Sequence, residues 1–145
     1  MKTNNYYLLL LGVLLFTLSA CGDKPVAPAE LPQQIQTFVK QTFPGQNISF
    51  AQKDCDFLCS HYEITLTDGT QVSFDSDDVW EKIESPMQGV PASVIPAPVA
   101  TYVNASFPGI GIKKIDKEHN CYEVDLLNGI EVKLNEQGAL MEMDD

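Results

Sequence analysis

Two stretches of this chain carry the same order of apolar residues and helix breakers. Leu31-Pro32, Ile35, Phe38, Val39 and Phe43, stopped by Pro44-Gly45, return 64 positions later as Ile95-Pro96, Val99, Tyr102, Val103 and Phe107, stopped by Pro108-Gly109. In the first stretch Ile35, Phe38, Val39 and Thr42 fall at i, i+3, i+4 and i+7, the spacing of one helix face. Val99, Tyr102, Val103 and Ser106 do the same in the second. Pro32 suits a first turn that needs no backbone donor, and the Pro-Gly pairs end each helix. The period then changes to two. Tyr62, Ile64 and Leu66 alternate with Glu63, Thr65 and Thr67, as in a half-buried strand. Asp68-Gly69 predicts a hairpin turn, and Val72 and Phe74 carry the buried alternation back.

Each half therefore predicts one helix and four strands. In the first, Ile48 to Gln52 is a short strand, followed by a turn-like segment around Cys55 and Cys59, then the hairpin, then a fourth strand over Val79 to Ile83 with Trp80. In the second, Ile112 to Asp116, then Tyr122, Val124 and Leu126, the turn Asn128-Gly129, then Val132 and Leu134 correspond, with Leu140 and Met143 in the places of Trp80 and Ile83. The expected class is α+β: two tandem α-β(4) repeats, residues 31–85 and 95–145, joined by a Pro- and Gly-containing linker, residues 86–94. One helix covers one face of a sheet. Two units side by side make an antiparallel sheet of up to eight strands, helices on one face and the other face open.

Ahead of the repeats, Lys2 precedes the apolar run Tyr6 to Leu18, closed by Leu18-Ser19-Ala20-Cys21. Short and without a stop-transfer flank, it reads as an export signal over residues 1–20. The last four residues fit a bacterial lipobox, which makes Cys21 the expected lipidated residue and residues 21–30, rich in Pro and Ala, a tether. The expected location is the Gram-negative cell envelope, lipid-anchored.

Charge narrows the partners. The chain carries 9 basic and 20 acidic residues, a net charge of −11. Such a balance excludes the basic patches that nucleic acid requires and electrostatic adhesion to anionic lipid, while it permits a basic partner. Export puts Cys55, Cys59 and Cys121 in an oxidising space. A local Cys55–Cys59 bridge is the first expectation, leaving Cys121 as a small buried hydrophobe; a bridge from Cys121 to Cys55 or Cys59 is the rival. No cofactor is expected. Asp75, Asp77 and Asp78 are weak metal candidates, because counting an EF-hand from Asp75 puts Trp80 where Gly is needed and Pro86 where Glu is needed. Catalysis is not expected either: His61 and His119 are the only histidines, and although His119 and Cys121, two apart, could share a strand face, the segment before them is a charged hairpin turn. Trp80, Tyr62 and Tyr122 read as core by their positions, with an aromatic binding anchor as the alternative.

Laid out this way, the chain resembles the PepSY-like, β-lactamase-inhibitor-like family of exported proteins of Bacteroides-type bacteria. The resemblance covers residues 31 to 145 and rests on Leu31-Pro32 through Phe43-Pro44-Gly45, Tyr62 through Asp68-Gly69, Phe74-Asp75 with Trp80, and their second-half counterparts. It implies a fold similar to the β-lactamase inhibitor protein and a non-enzymatic binding module on the open face. An inhibitor of a periplasmic or secreted peptidase or other hydrolase is the function it implies. A known inhibitor of that fold binds through an aromatic-rich concave face. Here the open face is expected to show Glu63, Thr65, Gln71, Ser73, Glu123, Asp125, Glu131 and Lys133, which is polar and acidic. The alternative is a metal-ion or small-molecule sensor built on the acidic turn from Asp75 to Asp78.

Overall fold

The computed structural model describes residues 22–56 and 59–145, apart from the side chains at 55, 56, 59 and 60. The strands are β1 (Lys24–Pro25), β2 (Ile48–Asp56), β3 (Cys59–Leu66), β4 (Gln71–Phe74), β5 (Trp80–Glu84), β6 (Ile112–Glu118), β7 (Cys121–Leu126), β8 (Glu131–Asn135) and β9 (Leu140–Asp144). They form one nine-stranded sheet in chain order, every neighbouring pair antiparallel. Helix α1 (Gln33–Thr42) precedes β2, and α2 (Ala97–Ser106) lies between β5 and β6.

The helix spacing has the expected outcome: Ile35 and Val39 of α1 and Val99 and Val103 of α2 are buried. They pack with Ile64, Leu66, Val72, Phe74, Ile83, Ile115, Val124, Leu126, Val132 and Leu134 in a single core. Phe38 is half-buried and stands edge-on to Phe74, ring centroids 5.5 Å apart. Tyr62 and Tyr122 pack partly against this core, and Trp80 is buried, so the core reading of the aromatics holds. The Lys117 ammonium lies 3.3 Å from the Trp80 ring centroid and donates to the Trp80 carbonyl at 3.1 Å. A cation over an indole face is attracted by the ring quadrupole. Burial lowers the Lys117 pKa, and the Asp75 charge works the other way.

Four expectations need correction. The sheet has nine strands, not at most eight, because residues 24–25, expected to lie in a free tether, pair with β2 (Lys24 opposite Lys53, Pro25 opposite Gln52). A 3-10 turn at Pro28–Glu30 follows, so the tether is largely folded onto the domain. Strand β2 does not stop at Gln52. It runs to Asp56, and β3 starts at Cys59, so the cysteine segment is mostly the end of a hairpin in which Cys55 is opposite Ser60 and Asp56 opposite Cys59. Third, β5 starts at Trp80, and Val79 is 45% exposed in the preceding turn. Finally, Leu140 and Met143 hold the register of Trp80 and Ile83 (Leu134 opposite Leu140, Val132 opposite Met143) but are exposed. The reason is topological: β5 is covered by β6, whereas β9 is an edge. The 86–94 segment also packs, burying Val90, whose amide donates to the Ile112 carbonyl.

The two halves share turn chemistry. The Asp75 carboxylate accepts from the amides of Asp77 and Val79; the Asn135 side-chain oxygen accepts from those of Gln137 and Ala139. In the first half the Gln34 amide at the start of α1 donates to the carbonyls of Asp77 and Asp78. In the second, Gly138 lies against Pro98 at the start of α2.

Candidate functional site

With both helices on one side, the other side of the sheet presents two rows of side chains that cross eight strands. Register defines them, since residues opposite each other on neighbouring strands share a face. One row is Gln52, Glu63, Ser73, Lys82, Asp116, Glu123, Lys133 and Glu142; the other is Phe50, Thr65, Gln71, Glu84, Lys114, Asp125, Glu131 and Asp144. All eight open-face residues expected from alternation lie in these rows. The other eight were missed, for a definite reason. Register shifts between Ile48 and Phe50 and between Ile112 and Lys114 mark bulges in β2 and β6, and those at Ser73/Phe74 and Lys133/Leu134 mark bulges in β5 and β9. A bulge sets two residues against one and breaks the period-two signal.

The rows curve into two cavities. One, of about 240 Å3, is lined by Phe50, Gln52, Glu63, Thr65, Gln71, Ser73, Lys82 and Glu84, with Ile64 and Val72 below. The second, of about 100 Å3, is lined by Lys114, Glu123, Asp125, Glu131, Lys133, Glu142 and Asp144 over Val124 and Val132. The first is nearly neutral and holds the exposed ring of Phe50; the second is lined by five carboxylates and two lysines. Within the first, the Gln52 amide donates to Glu63 at 2.8 Å. At the seam between them Asp116 faces Lys82 on one side and Glu123 on the other. Burial pushes the Asp116 carboxyl above its ordinary value, and the charges of Lys82 and Lys114 partly offset this.

The acidic half is not an unpaired patch. Lys133 reaches both Glu118 and Glu123 at 2.9 Å, and Lys114 lies 3.5 Å from Asp125. The hydrogen bond from Lys133, then that from the Cys121 thiol, holds Glu118 below its ordinary pKa of 4.5. A carboxylate with a depressed folded pKa contributes stability that is present above its unfolded pKa and lost as pH falls through the folded one. The melting temperature should therefore fall as pH drops below about 4.5, and Glu118→Gln should flatten part of that fall. Superimposable acid limbs for the two proteins would refute the linkage.

Cys121 is buried, and its thiol donates to Glu118 at 3.4 Å. Burial and that acceptor raise its pKa, the opposite of what activates a nucleophilic thiol. Among the described residues it is a free cysteine. The expected Cys55–Cys59 bridge and the lipidated Cys21 lie outside the described residues. His61 is 3.9 Å from Glu81, and His119 is exposed in the β6–β7 turn. Asp75, Asp77 and Asp78 form the β4–β5 turn, with the Asp75 carboxylate already taken by two amides. No cluster of three metal-ligating side chains occurs among the described residues.

A nine-stranded antiparallel open sheet with two helices on one side and a polar face on the other defines the class of this protein as α+β. Within it the chain belongs to the PepSY-like, β-lactamase-inhibitor-like family: the family model described as "Putative beta-lactamase-inhibitor-like, PepSY-like" matches residues 60–142. Among solved structures, it is similar to one described as a "putative periplasmic protein" from Bacteroides vulgatus, with 32% identity and a TM-score of 0.81 over 87% of this chain and 99% of that one. It is also similar to a "putative calcium-regulated periplasmic protein" from Bacteroides thetaiotaomicron, with 34% identity and a TM-score of 0.78 over 85% of this chain and 97% of that one. A further Bacteroides vulgatus protein, described as of unknown function, is 25% identical with a TM-score of 0.78 over 86% and 100% of the two chains. No curated protein matches the chain.

Proposed function

We propose that this protein is an exported, non-enzymatic binding module of the Gram-negative cell envelope, held to a membrane through acylated Cys21, that captures a protein partner on its open sheet face. The observation that carries this reading is the pair of cavities on the helix-free face, across which sixteen side chains are aligned by register. The periplasmic description of the similar structures supports the location. The family description supports a periplasmic or secreted hydrolase, such as a peptidase, as the partner, with inhibition as the outcome. The matched turns at Asp75 and Asn135 support the two halves being copies of one ancestral unit. Only Gly22 and Asp23 separate Cys21 from β1. At roughly 3.5 Å per extended residue, an acyl anchor would hold the sheet edge about 10 Å from the bilayer.

The test is capture. Residues 22–145, fixed through the N-terminus to mimic the anchor, are exposed to an envelope and secretome extract, and a retained hydrolase is then assayed with and without the protein. Paired charge reversal, Glu123→Lys with Asp125→Lys, should weaken capture about tenfold or more, as a loss of complementary rim charge does. The melting temperature should move only a few degrees, because Lys133–Glu123 and Lys114–Asp125 are partly solvated surface pairs, and such pairs contribute about 1 kcal/mol or less. Unaltered capture by the reversed protein sinks the open-face reading, and a retained hydrolase that keeps full activity sinks the inhibitory part.

A second reading is favoured by one observation, the calcium-regulated description of the Bacteroides thetaiotaomicron protein. It assigns a calcium-sensing role to the Asp75–Asp78 turn. Running the same capture with millimolar calcium distinguishes it. Calcium-dependent retention and a higher melting temperature, both lost with Asp77→Ala and Asp78→Ala, would put it first; no shift removes it.

A further inference from the structure

The fourth strand of each half has the same register but not the same neighbour. Strand β5 pairs with β6, setting Lys82 opposite Asp116, Ile83 opposite Ile115 and Glu84 opposite Lys114. Sixty positions on, the equivalent residues of β9 are Glu142, Met143 and Asp144, which pair with β8 as their counterparts pair with β4. Among the described residues nothing pairs with the outer edge of β9. Ile83 is fully buried, whereas Met143 is 49% exposed, Leu140 44% and Met141 59%. At the far side of the sheet the edge is blunted by the two-residue β1, which contains Pro25. Strand β9 has neither the Lys nor the Pro that usually guards an edge.

We infer that the outer edge of β9 is a docking site for an extended segment of a partner protein, added as a further antiparallel strand with basic, apolar and basic residues opposite Glu142, Met143 and Asp144. The pattern of that segment is set by the strand that caps the equivalent edge. Strand β6 offers Lys114 to Glu84 and Ile115 to Ile83, so Asp144 calls for a cation and Met143 for an apolar residue. The third position differs: Lys82 in β5 faces Asp116, but its counterpart is Glu142, which calls for a cation instead. A second copy of the chain does not fit. Two β9 strands paired about Met143 would set Glu142 against Asp144 twice, and like charges directly opposite are destabilising. Main-chain hydrogen bonds supply affinity in such strand addition, and alternate side chains supply the selectivity. This site shares Glu142 and Asp144 with the open face and differs from the open-face capture in its apolar contacts, Leu140 and Met143, which are on the helix side of the sheet.

The experiment is a charge swap. Two synthetic peptides are used, one with the sequence of residues 112–118 and one with the same sequence carrying Asp116→Lys. Each is titrated into the protein, with affinity measured by calorimetry and the site by amide hydrogen exchange. The Asp116→Lys peptide should bind about tenfold more tightly than the unaltered one, the worth of turning a like-charge cross-strand pair into an opposite one. Binding should slow exchange in β9. In the Glu142→Lys protein the preference should invert, with the unaltered peptide now the tighter. Leu140→Ser with Met143→Ser should weaken both peptides while leaving hydrolase capture on the open face intact. A preference that Glu142→Lys does not change, protection in β3 or β7 instead of β9, failure of both peptides to bind, or self-association of the free protein through β9 would each overturn the inference.

Discussion

Replacing Phe74 by alanine should lower the unfolding free energy by about 3–5 kcal/mol, the range for a fully buried aromatic whose removal leaves a cavity. Phe74 is 0% exposed, lies opposite Tyr62 and Trp80 in the sheet, and receives the edge of Phe38 from α1. It is therefore where the first helix is keyed to the sheet. The loss should appear as a drop of roughly 10 to 20 °C in melting temperature for a domain of this size. Leu140→Ala is the control. Leu140 also faces the helix side, opposite Leu134, but at 44% exposure it should cost well under 1 kcal/mol, since little area is returned to water. Chemical denaturation of both variants decides the matter; a Phe74→Ala loss below about 1 kcal/mol would mean that the core does not depend on this contact.

The second large effect is expected at Gly138. Its φ is +81°, and a Cβ there would lie 2.7 Å from the Pro98 carbonyl oxygen and 3.0 Å from the Pro98 Cβ. Gly138→Ala therefore combines a left-handed backbone penalty of about 1–2 kcal/mol with a clash that only displacement of α2 relieves. A total of about 2–4 kcal/mol is expected, within the range for strained special positions. Gly129 separates the two causes. Its φ is +91°, and a Cβ there would meet nothing within 4 Å, so Gly129→Ala should cost the backbone penalty alone. Equal losses at the two glycines would show that the Pro98 contact contributes nothing. In the first half the same turn position is Asp78, with φ +61°. There the Gln34 amide bonds to the turn carbonyls, so the helix and turn are joined by hydrogen bonds in place of close packing.

Much of this architecture is legible in the sequence because local rules and tertiary structure agree. Ile35 and Val39, Val99 and Val103, and the runs Ile64–Leu66 and Val124–Leu126 each declare a buried face, and Asp68-Gly69 and Asn128-Gly129 declare hairpins. What is not legible depends on neighbours far along the chain. Leu140 and Met143 match Trp80 and Ile83 in the local pattern, yet their exposure is decided by whether another strand lies beside them. Lys24-Pro25 is too short and polar to announce a strand, and only the edge of β2 makes it one. Half of the open-face rows lie on β2, β5, β6 and β9, where register shifts break the period-two signal. The site itself was legible as a surface, through Glu63 to Lys133, but its two cavities and the pairing of Lys133 with Glu118 and Glu123 belong to the curved sheet and not to any one segment.

The β5–β6 pairing has a consequence for how the protein comes apart. Ile83 and Ile115, opposite each other across that seam, are both fully buried, and Ser85 donates its amide to Lys113 just beyond. Neither helix with its four strands is thus a separate melting unit. Opening one half strips the wall from the other, and the protein should be lost to heat in a single cooperative step.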